Sequence, residues 1–261
     1  MTTPRHRVWA LGAADAESAL AEARKALFVM VAFLAILWVV QLGNVADHYQ
    51  LVNSYGIRPR DVRSLPDILL APFIHLSWTH IESNSGPLFV FGFLAAYRGV
   101  VRFLGLTALV IIASGLAGWF FGSPRSLGVG ASGVVFGYLG YILVRGFFDR
   151  HGIDIMIGAV MALCFAYQFT VLVPRAHIGW QAHIGGLVAG VVGGWVFRDR
   201  SAARKQARAP ASPGSVSPTA SKPAVGATTA SASLPSSDGS KTDAYSGPRG
   251  DLYRQLDDLG R

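Results

Sequence analysis

Hydrophobic residues in this chain are concentrated in six runs, separated by shorter stretches rich in polar residues. The runs cover residues 26–42, 77–97, 103–121, 128–144, 153–173 and 180–197. A helix rises 1.5 Å per residue, so crossing the hydrocarbon of a bilayer takes about 17 to 25 mostly apolar residues. The pattern therefore predicts an all-α, polytopic membrane protein with six spans, of which the second is the most polar.

Composition agrees with this prediction. The chain is 51% hydrophobic and 15% charged, whereas soluble domains carry about 25% charged residues. The first run begins some distance from the N-terminus and is followed by no A-x-A site, so we interpret it as an anchor rather than a cleavable signal peptide. Cys164 is the single cysteine; it forms no intrachain disulfide, and we expect a thiol packed in the core.

The distribution of Lys and Arg predicts the orientation. With the N-terminus inside, the inner flanks of the spans collect thirteen Lys and Arg residues and the outer flanks collect five. Positive charge favours the cytoplasmic side, so both termini are expected in the cytoplasm, and the Ala- and Gly-rich composition favours a bacterial cytoplasmic membrane. We predict lipid as the surroundings and no nucleic-acid partner, because no basic stripe with interleaved aromatic residues is present.

Three regions are predicted along the chain. Residues 1–25 form a cytoplasmic N-terminal segment, with a helix over residues 14–25, and residues 26–198 form the six-span domain. Residues 199–261 are rich in Ser, Ala, Pro, Thr and Gly, which bury too little apolar surface to fold, so we predict a disordered cytoplasmic tail. The outer loop 43–77 has enough apolar residues to form an ordered loop that is partly embedded in the membrane.

Three polar residues share one depth in the predicted membrane. His80, Ser132 and His183 lie near the starts of spans two, four and six, and these spans all run from outside to inside. Polar groups at membrane depth are rare and mostly functional. Taken singly, the motifs around these residues are also compatible with helix packing or with hydrogen bonds between helices. Their common depth favours chemistry.

Ser132 and His183 form a candidate nucleophile and base. A serine hydroxyl becomes nucleophilic when a base takes its proton, and small residues at four-residue spacing would let the two helices touch. The acids Asp149 and Asp154 lie at the inner ends of their spans, too far away to orient His183, so we predict a dyad rather than a triad. The glycines in question are Gly133, Gly137 and Gly140 on span four and Gly186, Gly190 and Gly194 on span six.

Two further side chains could stabilise an oxyanion. His80 and Asn84 are one turn apart on span two and both can donate hydrogen bonds. The N–H of Ser132 is available at the start of its helix. Loss of one such donor costs about 2.7–4 kcal/mol in acyl transfer.

The motifs HIESN, GASG and AHIGGLVAG stand in this order on spans two, four and six, and residues 26–198 thereby resemble the rhomboid family of intramembrane serine proteases. The resemblance implies a six-helix rhomboid-like bundle that cleaves single-span membrane proteins within or next to their transmembrane segment, without metal or cofactor. It also implies that the first outer loop embeds in the membrane and that movement of span five admits the substrate.

The resemblance also implies roles for individual residues. Ser132 would be the nucleophile and His183 the general base. The oxyanion would be bound by His80, Asn84 and the Ser132 amide, with the region of Gly130 lining the hole.

Two supporting residues and one departure belong to the same resemblance. His75 matches a structural histidine of the family. Phe136 stands where an aromatic ring packs against the catalytic histidine and many relatives have tyrosine. Glu82 is an acid where an apolar residue is more usual; at i+2 from His80 it faces away from both oxyanion residues, and we expect it near the headgroups or the loop.

Two alternative functions stay open from the sequence. The first is a catalytically inactive rhomboid-like protein that binds membrane proteins without cutting them; such proteins usually lose the serine or the histidine, and both are present here. The second is a six-span transporter, which would be expected to show matching halves with broken helices. No such symmetry appears in this chain.

Overall fold

The computed structural model describes residues 4–174 and 179–198, with side chains from residue 16 onward. The tail predicted for residues 199–261 lies outside the described residues. Within them no β-strand occurs, and one isolated antiparallel bridge joins Ile57 to Gly128. The α-helices are α1 (Pro4–Ala46), α2 (Gln50–Tyr55), α3 (Trp78–Ala96), α4 (Val100–Phe121), α5 (Ser132–Asp149), α6 (Gly152–Cys164) and α7 (Trp180–Val196). Four 3-10 helices cover Val62–Ser64, Pro66–Leu69, Ala71–Phe73 and Ala166–Leu172. The all-helical prediction is confirmed for this part of the chain.

Two of the described helices are long and apolar enough to cross a membrane: the portion Ala16–Ala46 of α1, and α4. A third candidate arises if α6 and the 3-10 helix Ala166–Leu172, which meet at 69°, are counted as one bent span. The count of six spans stays a prediction.

Helix α1 is longer than the sequence analysis expected. The predicted N-terminal segment and the first span form one helix from Pro4 to Ala46. Between Gly12 and Gly43 the chain contains neither glycine nor proline and is rich in alanine, so nothing in it favours a break. The boundary predicted at residue 25 therefore does not coincide with a change in secondary structure.

Helix α5 is the centre of the bundle. It packs against α3, α4, α6 and α7, and twelve of its eighteen residues are buried. Its contact with α7 is made by glycines. A Cβ at Gly186 or Gly190 would overlap the carbonyl oxygens of Gly133 and Gly137 respectively. The two backbones are in direct contact, as the glycine spacing predicted.

Helix α6 is packed much less extensively than α5. Only Asp154 and Gly158 of α6 are buried, and the 3-10 helix Ala166–Leu172 buries no residue. The continuous fifth span expected over residues 153–173 is therefore wrong in detail, because the helix breaks at Phe165. The expected burial of Cys164 is also wrong: its thiol is exposed, because it lies off the stripe that faces α5.

Ion pairs hold the inner end of α6. Asp154 accepts hydrogen bonds from the guanidinium of Arg98, at 2.5 Å, and from that of Arg145, at 3.0 Å. Arg145 also pairs with Asp149, one turn further along α5, at 3.2 Å. These acids lie at the opposite end of α5 from Ser132, as the sequence predicted.

The loop between α1 and α3 is ordered. Trp119 of α4 donates its indole N–H to the carbonyl of Asp61 at 2.9 Å, and the ring of Phe73 packs edge-on against Phe33 of α1 at 5.6 Å. Ile68 fills the space that a side chain at Gly115 would need. This loop fixes the entrance to the site described next; its embedding in the membrane stays a prediction.

Candidate active site

Ser132 is the first residue of α5, and the turn before it has a shape that requires glycine. Gly130 has φ +107°, a conformation that other residues rarely adopt, and its N–H donates to the carbonyl of Ala71 at 2.9 Å. A Cβ at this position would also lie 2.6 Å from the His80 ring. The first N–H groups of a helix have no intrahelical partner. The N-cap residue Ala131 has no side-chain acceptor for those of α5, so they are not capped by it.

The structure brings Ser132 and His183 together. The Nε2 atom of His183 lies 2.8 Å from the Oγ atom of Ser132, which is hydrogen-bond distance. The two residues are 51 positions apart in the chain and meet because the glycines of α5 and α7 let the helices touch. His183 is buried, with 7% of the residue exposed.

Two further contacts hold the His183 ring. Phe136, one turn after Ser132, stacks on it with centroids 4.9 Å apart and planes 27° apart. The Nδ1 atom lies 3.1 Å from the backbone carbonyl oxygen of Val171. Sequence reasoning did not identify Val171, because a backbone carbonyl leaves no signature in residue type.

His80 and Asn84 lie on α3 across from Ser132. The Nδ2 atom of buried Asn84 has no hydrogen-bond partner among the described residues, so this donor is available to a ligand. The Nδ1 atom of His80 accepts a long hydrogen bond, 3.4 Å, from the N–H of Leu76. In the neutral ring the proton then resides on Nε2, the edge of the ring that faces Gly130.

His75 is fully buried behind this site. Its Nε2 accepts from the N–H of Ala131 at 3.3 Å, and its carbonyl accepts from the side chain of Asn44 at 2.9 Å. The ring meets that of His80 edge-on at 5.0 Å. His75 thus connects α1 and α3 to the turn that carries Ser132.

A cavity of about 480 Å³ opens over these residues. Its lining includes six of the seven residues singled out from the sequence, and His75 is the exception. The six are Ser132, His183, His80, Asn84, Gly130 and Phe136. Glu82 is exposed and is not part of the lining. Among the described residues, no group of three or more His, Cys, Asp or Glu side chains could hold a metal ion.

The site contains the groups that acyl transfer by a serine requires: a nucleophile, a base and hydrogen-bond donors for an oxyanion. One hydroxyl touches one imidazole nitrogen, the other imidazole nitrogen is tied to a carbonyl, and N–H donors line the same cavity. Such a set can generate a serine nucleophile and bind the oxyanion that its attack produces.

Comparison with known proteins places the chain in a family. The model of the Rhomboid domain matches residues 63–200. An uncharacterized protein of Mycobacterium tuberculosis is 36% identical over 189 residues, which cover 69% of this chain and 77% of that protein. An uncharacterized protein of Mycobacterium leprae is 35% identical over 198 residues, covering 72% and 77%. The rhomboid protease GlpG of Haemophilus influenzae is 25% identical over 183 residues, covering 68% and 93%. With its apolar helices, the chain is a multi-pass membrane protein that belongs to the rhomboid family.

Proposed function

We propose that this protein is an intramembrane serine endopeptidase that works with a Ser–His dyad. The observation that carries the proposal is the 2.8 Å contact between Ser132 Oγ and His183 Nε2 inside a cavity lined by N–H donors. Membership of the rhomboid family supports the reaction class, and this geometry supports the proposed roles of the two residues.

In the proposed reaction, His183 takes the proton of Ser132 while the serine oxygen attacks the peptide carbonyl. The negative charge that develops on the carbonyl oxygen is bound by the Nε2–H of His80, the amide of Asn84 and the N–H of Ser132. His183 then gives its proton to the leaving amine. A water molecule, deprotonated by the same imidazole, then attacks the acyl carbonyl. The bond from the acyl group to Ser132 Oγ breaks, and His183 returns the proton to Oγ and so regenerates Ser132.

The proposed substrates are single-span membrane proteins, cut within or next to their transmembrane segment. Residues 26–198 would form the protease domain with six spans, and residues 199–261 a cytoplasmic tail. Both termini would lie on the cytoplasmic side of a bacterial cell membrane, because Lys and Arg concentrate at the ends of the spans on that side. The site at the start of α5 would then open toward the outer face.

Co-expression with tagged single-span proteins tests the proposal. The wild-type chain is expected to release a shortened fragment, and Ser132→Ala is expected to release none at equal expression. Ser126→Ala is the matched control, because Ser126 is an exposed loop serine that lies outside the cavity lining and donates its hydroxyl to the Ser123 carbonyl. Cleavage that persists in Ser132→Ala would contradict the assignment. Co-purification of a single-span protein without any cleavage would favour the inactive binder instead.

A further inference from the structure

The contact between Ser132 and Nε2 of His183 determines which ring nitrogen carries the proton, and therefore what the Val171 carbonyl does at Nδ1. For the imidazole to act as a base, Nε2 must accept the serine O–H and therefore carries no proton. A neutral imidazole has one N–H, which then resides on Nδ1. The carbonyl oxygen of Val171, 3.1 Å away, is the acceptor of that N–H.

The structure explains why the Val171 carbonyl is free to accept. Val171 lies at the end of the 3-10 helix Ala166–Leu172, in which a carbonyl pairs with the N–H three residues later. For Val171 that residue is Pro174, which has no N–H. Proline also disfavours a helical conformation in the residue before it, and Val173 is extended, with ψ 134°. Pro174 thus ends the helix and leaves this carbonyl without its usual partner.

The geometry points to Val171 as a positioning residue: its backbone carbonyl holds the proton of His183 on Nδ1 and the ring in the orientation in which Nε2 faces Ser132. In Ser–His–Asp triads an aspartate has this role. Here the described residues place no carboxylate on the imidazole, and a neutral carbonyl stands in the equivalent place.

The inference rests on the proposed function and deepens it. It ties the orientation of the base to the 3-10 helix Ala166–Leu172, an element that is neither on α5 nor on α7. Displacing this helix would withdraw the acceptor from Nδ1 while leaving the contact between α5 and α7 in place.

Backbone ester substitution tests the inference without changing a side chain. The full chain is translated with the α-hydroxy analogue of leucine at residue 172, which converts the Val171 carbonyl from an amide to a weaker, ester acceptor. The matched control carries the hydroxy analogue of valine at residue 173, which alters the Leu172 carbonyl instead. We expect kcat on a single-span substrate to fall about three- to tenfold for the ester at 172, the effect of losing one hydrogen bond. KM is expected to stay unchanged, and the control is expected to keep both values.

A conventional variant probes the same contact. Pro174→Ala supplies an N–H that can close onto the Val171 carbonyl and compete with His183, so kcat is expected to fall while KM holds. Pro124→Ala, at an exposed proline of the loop before α5, is the control. The inference is overturned if the ester at 172 keeps the kcat of the ester at 173.

A measurement independent of turnover separates this inference from the proposed function. If no cleavage depends on Ser132, the proposed function fails, but ¹⁵N spectra of labelled histidine still report which ring nitrogen of His183 carries the proton. The signal is identified by its loss in His183→Ala. A proton on Nδ1, with a shift that changes in the ester at 172, supports the inference. A proton on Nε2 overturns it.

Discussion

Besides α5, two elements fix the position of the His183 imidazole, and they are packed in very different ways. Helix α7, which carries the residue, lies with its backbone directly against that of α5 at Gly186 and Gly190. The 3-10 helix Ala166–Leu172, which supplies the carbonyl to Nδ1, buries none of its residues. The helix that carries the imidazole is packed in the core of the bundle, and the element that contacts Nδ1 buries none of its residues.

The difference separates two requirements of the proposed chemistry. The distance from the Ser132 hydroxyl to the His183 imidazole is set by the contact between α5 and α7, whose backbones are too close to accommodate an added side-chain atom. The orientation of the ring depends on the segment formed by α6 and the 3-10 helix Ala166–Leu172. Its inner part is held by the ion pairs of Asp154 and by close backbone packing against α5 at Gly146 and Gly158. Further along, Phe165 meets Phe91 edge-on, 4.7 Å between centroids. Substitutions in the two elements should therefore have distinguishable effects.

The largest effect is expected for Gly186→Ala in α7. The added Cβ overlaps the Gly133 carbonyl oxygen. A rotamer change moves neither of these atoms, so the helices must move apart. We therefore expect about 3 kcal/mol of destabilisation, the upper end of overpacking costs. Thermal unfolding in detergent and cleavage assays would measure this loss, together with at least about a hundredfold loss of activity as Ser132 and His183 separate. Gly86→Ala is the control, because nothing lies near its Cβ position. Equal stability of the two variants would contradict the close packing.

The next effect is expected for Asp154→Asn at the inner end of α6. Removing the charge leaves Arg145 buried with one acid instead of two. Loss of a partner from a fully buried pair costs about 3–5 kcal/mol; because the Arg98 side chain is 36% exposed and Arg145 keeps Asp149, we expect about 2 kcal/mol. Hydrogen exchange should accelerate in α6 and change little in α7. Asp47→Asn, at an exposed acid, should leave both unchanged. If hydrogen exchange accelerated equally in α7 and α6, this would contradict the idea that α6 and α7 are held to the bundle by independent contacts.

A smaller effect is expected for Phe136→Leu, which removes the ring that stacks on His183. Aromatic stacking contributes about 0.5–1.5 kcal/mol beyond burial, so kcat should fall about two- to tenfold, with little change in KM. Phe136→Tyr keeps the ring and should keep most of the activity. Steady-state kinetics of the two variants would decide. Equal losses in both would mean that ring stacking is not what Phe136 contributes.

The smallest effect is expected for Asp61→Asn in the loop between α1 and α3. Hydrogen bonds from the side chain and backbone N–H of Arg63 hold the pKa of Asp61 below its ordinary value of 3.8. A lowered pKa contributes stability that is present above the unfolded-state pKa and is lost as the pH falls through the folded-state pKa. The melting temperature of the wild type should exceed that of Asp61→Asn slightly at pH 6. The difference should begin to shrink below about pH 4 and should close as the pH falls through the lowered pKa of Asp61. A difference that stays constant from pH 6 down to pH 3 would assign the effect to the side-chain shape rather than to its charge.

Much of this molecule could be predicted from residue types and their spacing. The glycine rows predicted the contact between α5 and α7. The common depth of His80, Ser132 and His183 favoured a shared chemical role, and all three line one cavity. The glycines recur at helical spacing and the three polar residues stand at the starts of their helices, so both patterns can be recognised without knowledge of the tertiary structure.

Features that depend on backbone geometry could not be predicted in this way. The break at Phe165 interrupts a hydrophobic run that reads as continuous, because no glycine or proline marks it. The exposure of Cys164 follows from which stripe of α6 faces α5, and hydropathy does not distinguish core from lipid. The Val171 carbonyl is a backbone group, and its only trace in the sequence is Pro174, three residues later.

Labelling with a fluorophosphonate tests the central claim most directly, because this reagent reacts with a serine only when a neighbouring base activates it. The wild-type protein in detergent is treated with the reagent, digested and examined by mass spectrometry, beside His183→Ala. We predict an adduct on Ser132 in the wild type and its loss in His183→Ala. An adduct on another serine, or equal labelling of Ser132 without the imidazole, would contradict the dyad.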